Sequence, residues 1–422
     1  MQKILYLGYV WPEPDSSAAG GRTMEFLRLF LAQGWEIVFA SAAALSSHRS
    51  PLTSLGIRER EVAINCDSFD QFIGEFQPDM VVFDRFFTEE QFGWRVERHC
   101  PHALRMLDTC DLHSLREARH HLLKAQLKVE PDAGPVLADP ARLYQAMVQS
   151  DVAHREIAAI YRCDLSLMIS SFEVALLREQ FGVPASLLHE THLMATPAQQ
   201  SLPDFTDRAH FISIGNFRHA PNWDAVLWLK QRIWPKIRRQ LPSAQLHIYG
   251  AYPPPKAMAL HNAGEGFHML GWAADAKQVI AQARVVLAPL RFGAGLKGKL
   301  ADAMSCGTPS VSTSIGSEGM CGELDWGGMI ANDAQSFADA AVELATDKEA
   351  WQQAQARGWH IQSRLFDRLE AQQALLNVLK QAKVQQEHNR CQNFTGAMLR
   401  HHLHKSTQYM SQWIALKNRD HS

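Results

Sequence analysis

Two lysines and a carboxylate stand within six residues of one another in the segment "GAGLKGKLADAMSCGTP", which runs from Gly293 to Pro309. Lys297 and Lys299 follow a turn made of Gly293, Ala294 and Gly295, and Asp302 comes about one helical turn later. The run before them, "RVVLAPL", reads as a buried parallel strand, and the run from Lys297 onward reads as a helix. A helix start offers unpaired N–H groups and the positive end of a dipole, and glycine lets a ligand approach the backbone. Two ammonium groups at that point make an anion seat, and phosphate or diphosphate is its natural occupant. A carboxylate one turn on can accept from two vicinal hydroxyls, as acids do on ribose. The chemistry expected is therefore recognition of a nucleoside diphosphate. The segment is no Walker loop, because G-x-x-x-x-G-K-[ST] is absent. Solvated lysines at an ordinary helix start are the bland alternative.

The elements that must hold this segment alternate strand and helix along the chain. "KILYLGYV" opens the sequence as a strand. The Gly-rich loop "SSAAGGR", with Gly20 and Gly21, leads into an apolar-periodic helix. "WEIVFASAA", "DMVVFD" and "HALRMLD" read as further strands, and "LSLMISS" as a later one. A polar, proline-bearing stretch, "QQSLPDFTDRAH", interrupts the pattern, after which "FISIGNF" starts a second alternation. The expectation is an α/β fold of two Rossmann-like domains: 1–205, 206–383, and a polar tail, 384–422, that could form a helix.

With 422 residues there is room for two or three domains. A hydrophobic share of 46% and a charged share of 20% are those of an ordinary globular chain. The net charge of −2 supplies no field that favours nucleic acid. Seven cysteines without C-x-x-C spacing argue against a zinc or thiol-redox centre and for a reducing compartment. The start lacks the pattern of a signal peptide, and no stretch reaches membrane-spanning length, so a cytoplasmic protein is expected.

Taken together, "GAGLKGKLADAMSCGTPSVSTS" resembles the signature of GT-B glycosyltransferases of the group-1 or family-4 type. In that pattern a lysine-bearing turn precedes a helix of the form K-x-x-x-[ED]-A-[ML]-x-x-G-x-P; here Asp302, Ala303, Met304, Gly307 and Pro309 match its second part, and Lys297 and Lys299 stand five and three residues before Asp302, on either side of the lysine place. "FISIGNFRHAPNWDAVLWLKQRIWPKI" resembles the first strand, loop and helix of the donor domain, and the Gly20–Gly21 loop resembles that of the acceptor domain. The resemblance spans about residues 1–383. It implies two facing domains with a cleft between them, the second holding a nucleotide sugar and the first an acceptor. It implies a retaining transfer of a hexose to a hydroxyl in glycan or glycolipid assembly, with no metal and no cofactor beyond the donor itself. A lipid-linked acceptor would bring the protein to the inner face of a membrane.

Site residues follow from the same resemblance. Lys297 would neutralise the leaving diphosphate, with Lys299 and Arg218 beside it. Gly20, Gly21, Gly215, Gly295, Asp302 and Glu318 would line the donor. Glu318 stands in the loop "TSIGSEG", flanked by glycines. In "LDTCDLHSLREAR", His113 is the candidate to bind the donor sugar or orient the acceptor hydroxyl, with Asp111 to polarise it. Asp84, at a strand end, would face the acceptor. Trp272 could stack on a base. The His-rich runs at Arg119 and Arg400 lack acidic or cysteine partners, and no metal site is expected. Two departures stand out. Ala294 occupies the place where most of the family carries an acid, eight residues before Asp302. Asn216 occupies the place of an expected arginine, with Arg218 two residues on. These departures keep two alternatives open: a non-catalytic nucleotide-sugar-binding subunit, and an epimerase or hydrolase on the same fold. A nicotinamide dehydrogenase is disfavoured, since no G-x-G-x-x-G follows the first strand.

Overall fold

A computed structural model describes residues 2–194 and 202–419. Two parallel sheets organise it. The first contains β1 (Lys3–Gly8), β2 (Glu36–Ser41), β3 (Arg58–Glu61), β4 (Met80–Asp84), β5 (Leu104–Asp108), β6 (Leu165–Met168) and β7 (Leu188–Glu190). The second contains β8 (Phe211–Ile214), β9 (Leu246–Tyr249), β10 (Phe267–Gly271), β11 (Val285–Ala288), β12 (Ser310–Ser312) and β13 (Gly328–Ile330). The orders are β3-β2-β1-β4-β5-β6-β7 and β10-β9-β8-β11-β12-β13. Both are doubly wound, with the chain reversing direction across the sheet beside its first strand.

The strands form where the sequence is continuously apolar because helices cover both faces. In β1, Leu5 and Leu7 enter one core, while Ile4 and Tyr6 enter the core on the opposite face. That is the burial a period-two backbone gives when neither face meets water. The edge strand β3 is the exception. Its four residues, RERE, are mostly exposed, and charge on an edge opposes further strand pairing. The second domain's first helix runs Ala220–Trp228 and continues to Gln240 through one π turn, Leu229–Ile233. Pro235 lacks an N–H, and the wider turn lies just before it.

The boundaries drawn from the sequence need one correction. All but the last residue of the helix Arg368–Val384 falls within 206–383, yet its Leu375 and Leu379 pack into the core of the first sheet beside Phe26 and Phe30. The chain therefore crosses back to the first domain near Phe366. The remaining helices, Gln386–Gln392 and Phe394–Arg419, also lie on the first domain. Arg390 is bonded to Asp164 there, and Gln386 to the carbonyl of Ala103. An amphipathic helix shows which face it buries but not which domain supplies the partner.

Candidate active site

The strand-order reversals of the two sheets lie between β1 and β4 and between β8 and β11, and their loops meet. Asn216, after β8, donates to the carbonyl of Ser16, after β1, at 3.3 Å. A Cβ on Gly298, at the start of the Gly298–Ser305 helix, would lie 2.7 Å from the Cβ of Ala18. Open α/β sheets bind ligands beyond the carboxyl ends of their strands at such reversals. The cleft between the sheets is thus where chemistry is expected, and it is closed.

Lys297 caps the Gly298–Ser305 helix and is buried. Its ammonium donates to the carbonyls of Ala294 at 3.3 Å and Gly295 at 2.5 Å. Lys299 donates to the amide oxygen of Asn222 at 2.7 Å. Neither lysine has a carboxylate within ion-pair distance among the described residues. Removal from water lowers the pKa of Lys297, against the pull of Glu318. The same burial, followed by the charge of Lys297, brings Lys299 down to about 7. Two cations held side by side on neutral acceptors are an arrangement that an anion completes.

Glycine fits three of the predicted positions for a visible reason. Gly295 has φ +62°, and a Cβ there would sit 2.8 Å from Asp111 Cβ in the facing domain. Gly215 would place a Cβ 2.7 Å from Lys299 Nζ. Gly20 has similar need, since a Cβ would strike the backbone of Glu13, whereas Gly21 faces open space. Asp302 lies one turn past Lys299 and is 40% exposed, with Lys277 4.0 Å away.

The facing wall belongs to the first domain. Asp111 is held by Arg116, and His113 Nε2 lies 3.5 Å from Asp111. Burial opposes ionisation of Asp111, but Arg116 and His113 outweigh it and keep its carboxyl well below the usual range. Burial also pushes His113 down to about 4, helped by Arg116 and Arg85 against Asp111. The ring, edge-on to Phe86 and Phe87, is therefore a neutral imidazole at pH 7. It can orient a hydroxyl, and it is a weak base. Asp84 accepts from the backbone of Tyr9 at 3.0 Å and neighbours Cys110, near the end of β1.

Several participants went unseen in the sequence. Glu318 is not free: Arg119 grips it with two bonds of 2.6 and 2.8 Å and also donates to the carbonyl of Gly293. Glu173, fully buried in the first domain, accepts from the N–H of Gly295 at 2.8 Å and of Leu112 at 3.0 Å. Burial, then Asp111, raises Glu173 to about 8. Arg22 is bonded to the buried Asp108 at 2.9 Å, beneath the same loop. His219 lies in the field of Lys297, Lys299, Asp111 and Arg116, between the two walls. Ala294, the missing acid, packs into the core of the first domain, so a carboxylate there would enter apolar surroundings.

Arg218 is not brought to the lysines. Its guanidinium stacks on Tyr252 at 3.5 Å, and the Tyr252 hydroxyl donates to Glu13 across the cleft. Trp272 packs on His48 at 4.7 Å and donates to the carbonyl of Asp15 at 3.2 Å. Trp272 therefore clasps the two domains directly, and Arg218 only through Tyr252.

Comparison with known proteins bears on this geometry. Residues 208–347, which carry Arg218, Lys297, Lys299, Asp302 and Glu318, match the family described as "Glycosyl transferases group 1". The match falls within the second domain and spans about a third of the chain. The fold is shared along nearly the whole chain. Sucrose-phosphate synthase from Thermosynechococcus elongatus superposes with a TM-score of 0.64 at 14% identity, covering 90% of this chain and 99% of that one. HepE of Anabaena, in complex with UDP and glucose, gives 0.61 at 13% identity over 90% and 100%. WaaG, a glycosyltransferase of lipopolysaccharide biosynthesis, gives 0.57 at 10% identity over 89% and 99%. No curated protein matches at the level of sequence. The chain has the GT-B fold of these structures, with the two sheets as its facing halves.

Proposed function

We propose that this glycosyltransferase moves a hexose from a nucleoside diphosphate to a hydroxyl acceptor in glycan or glycolipid assembly, with retention and without a metal. The observation that supports this most is the pair Lys297, buried, and Lys299, half-buried, each donating to neutral acceptors among the described residues. A diphosphate placed there gains both charges in a site from which water is excluded. As the bond from the anomeric carbon to phosphate breaks, its electron pair stays on the phosphate oxygen, and the lysines stabilise that charge. The acceptor oxygen bonds to the anomeric carbon, and its proton passes to the departing diphosphate. His113, neutral, orients a hydroxyl beside that carbon rather than removing its proton. Asp302, half-buried one turn on, takes the ribose hydroxyls. Glu318, held in place by Arg119, lines the donor, and HepE, whose structure contains UDP and glucose, supports a nucleotide sugar as that donor.

The test is thermal shift and nucleotide release with UDP-, GDP- and ADP-sugars in EDTA. Stabilisation by one donor, with sugar transferred to an acceptor extract, is expected. If no donor stabilises the protein, the reading fails. Loss of transfer in EDTA would remove the metal-independent part alone. A second reading, a donor-binding subunit without turnover, draws on Ala294, and stabilisation without transfer would favour it.

A further inference from the structure

The last helix, Phe394–Arg419, presents one face that none of the described residues covers. Phe394, Met398, Tyr409, Trp413 and Leu416 recur at intervals of 4, 11, 4 and 3 residues, so they fall on one helical stripe. All five are exposed, Phe394 by 76% and Trp413 by 57%. The opposite side is fastened to the first domain. Gly396 lies against the carbonyl of Tyr161, Arg400 reaches Glu97 at 3.1 Å, and Ser411 bonds Asn65 at 2.9 Å. The stripe is therefore displayed on a docked helix.

Charge identifies the partner. From Phe394 to Arg419 the sequence holds four Lys and Arg, three His and no Asp or Glu, in a chain of net charge −2. Lys417 lies over the Trp413 ring at 4.3 Å. A second copy of the chain is a poor occupant, because a two-fold interface would set this acid-free helix against itself. Aromatic and aliphatic side chains beside basic ones suit the boundary between headgroups and acyl chains. A separate feature points the same way. Along one edge of the helix, a cavity of about 460 Å³ opens against the helix Arg85–His99. Arg98, Arg400 and His401 line it together with Glu97. Trp94, 4% exposed, forms part of its wall, with an indole N–H that has no partner.

We propose that the C-terminal helix docks the protein on an anionic lipid surface, its apolar stripe at the headgroup boundary and the Arg98–Trp94 cavity taking a headgroup phosphate. The helix sits on the acceptor domain, so docking would hold that domain at the membrane. This deepens the glycolipid arm of the proposed function, but its test reads lipid binding alone.

Flotation of the full chain is measured with vesicles of phosphatidylcholine and with vesicles that also contain phosphatidylglycerol. Binding to the anionic vesicles only, weakened by salt, is expected. Phe394→Ser, Trp413→Ser and Leu416→Ser together should lower it by about tenfold or more while leaving the melting temperature unchanged. Arg98→Gln should lower it by a smaller factor and reduce the preference for the anionic lipid. Equal flotation with both vesicle types, no flotation with either, or undiminished binding of the triple variant would overturn the proposal. So would a dimer in sedimentation that the triple variant abolishes, since a second copy would then own the face.

Discussion

The two walls of the cleft handle charge in opposite ways. On the first-domain wall Arg22 meets Asp108, Arg116 meets Asp111, and Arg119 reaches across to Glu318. On the second-domain wall Lys297 and Lys299 meet only carbonyl and amide oxygens among the described residues. The first wall is electrically complete, and its ion pairs hold loops in place. The second is left incomplete, and its cations are costly until an anion arrives. The difference teaches how to tell a structural charge from a functional one: the buried structural charge has its counterion within the protein.

Removing one charge from each wall tests the contrast most strongly. Arg22→Met strands the fully buried Asp108 and should lower unfolding stability by about 3–5 kcal/mol in urea titrations. Lys297→Met removes a buried cation that lacks a counterion, so stability should hold or rise. Donor binding should be lost with it, and transfer should fall by about 10²–10³-fold. A stability loss in Lys297→Met as large as in Arg22→Met would erase the contrast.

The pH dependence sharpens it. Lys299 titrates near 7 in the empty cleft, so above that pH the protein must take up a proton to present both charges. Nucleotide affinity should fall above pH 7, by at most about tenfold per pH unit. Calorimetry in buffers of different ionisation enthalpy should show proton uptake on binding. Lys299→Arg should flatten the profile.

Glu173 gives a smaller effect on the acceptor side. Its pKa is raised from an ordinary 4.5 to about 8. The unfolded chain therefore ionises first, and stability should decline as pH rises between those values. Glu173→Gln keeps an oxygen for the N–H groups of Gly295 and Leu112 and should remove that decline in thermal unfolding measured across the range. The smallest effect is expected from Arg218→Ala. Loss of its stacking on Tyr252 should raise the donor KM a few-fold, about 1 kcal/mol, with little change in kcat.

How much of this the sequence disclosed depends on how local each feature is. The lysine turn and its helix lie within six residues and follow from glycine, charge and strand-helix alternation. The two doubly wound sheets were legible for the same reason, as most strands are short apolar runs; the charged edge strand β3 carries no such signal and was missed. Glu173, Arg119 and Asn222 were not legible as site residues, because the Gly293–Lys299 segment meets them from 77 to 174 positions away. The roles of Arg218 and Trp272 changed on the same ground. In sequence each is a lone side chain near a loop, and only the fold shows Tyr252 or His48 beneath it. The helix Arg368–Val384 has an apolar stripe that suits either domain, and the cores alone decide its side.

That helix also governs how the two halves can move. The chain passes from first domain to second after β7 and returns near Phe366, and the rings of His192 and Phe366 lie 6.5 Å apart. Two covalent crossings with His192 and Phe366 this close constrain the halves as two pins constrain a door: rotation about the shared line is the motion that stretches neither. A nick in one tether would leave the other to keep the halves in register.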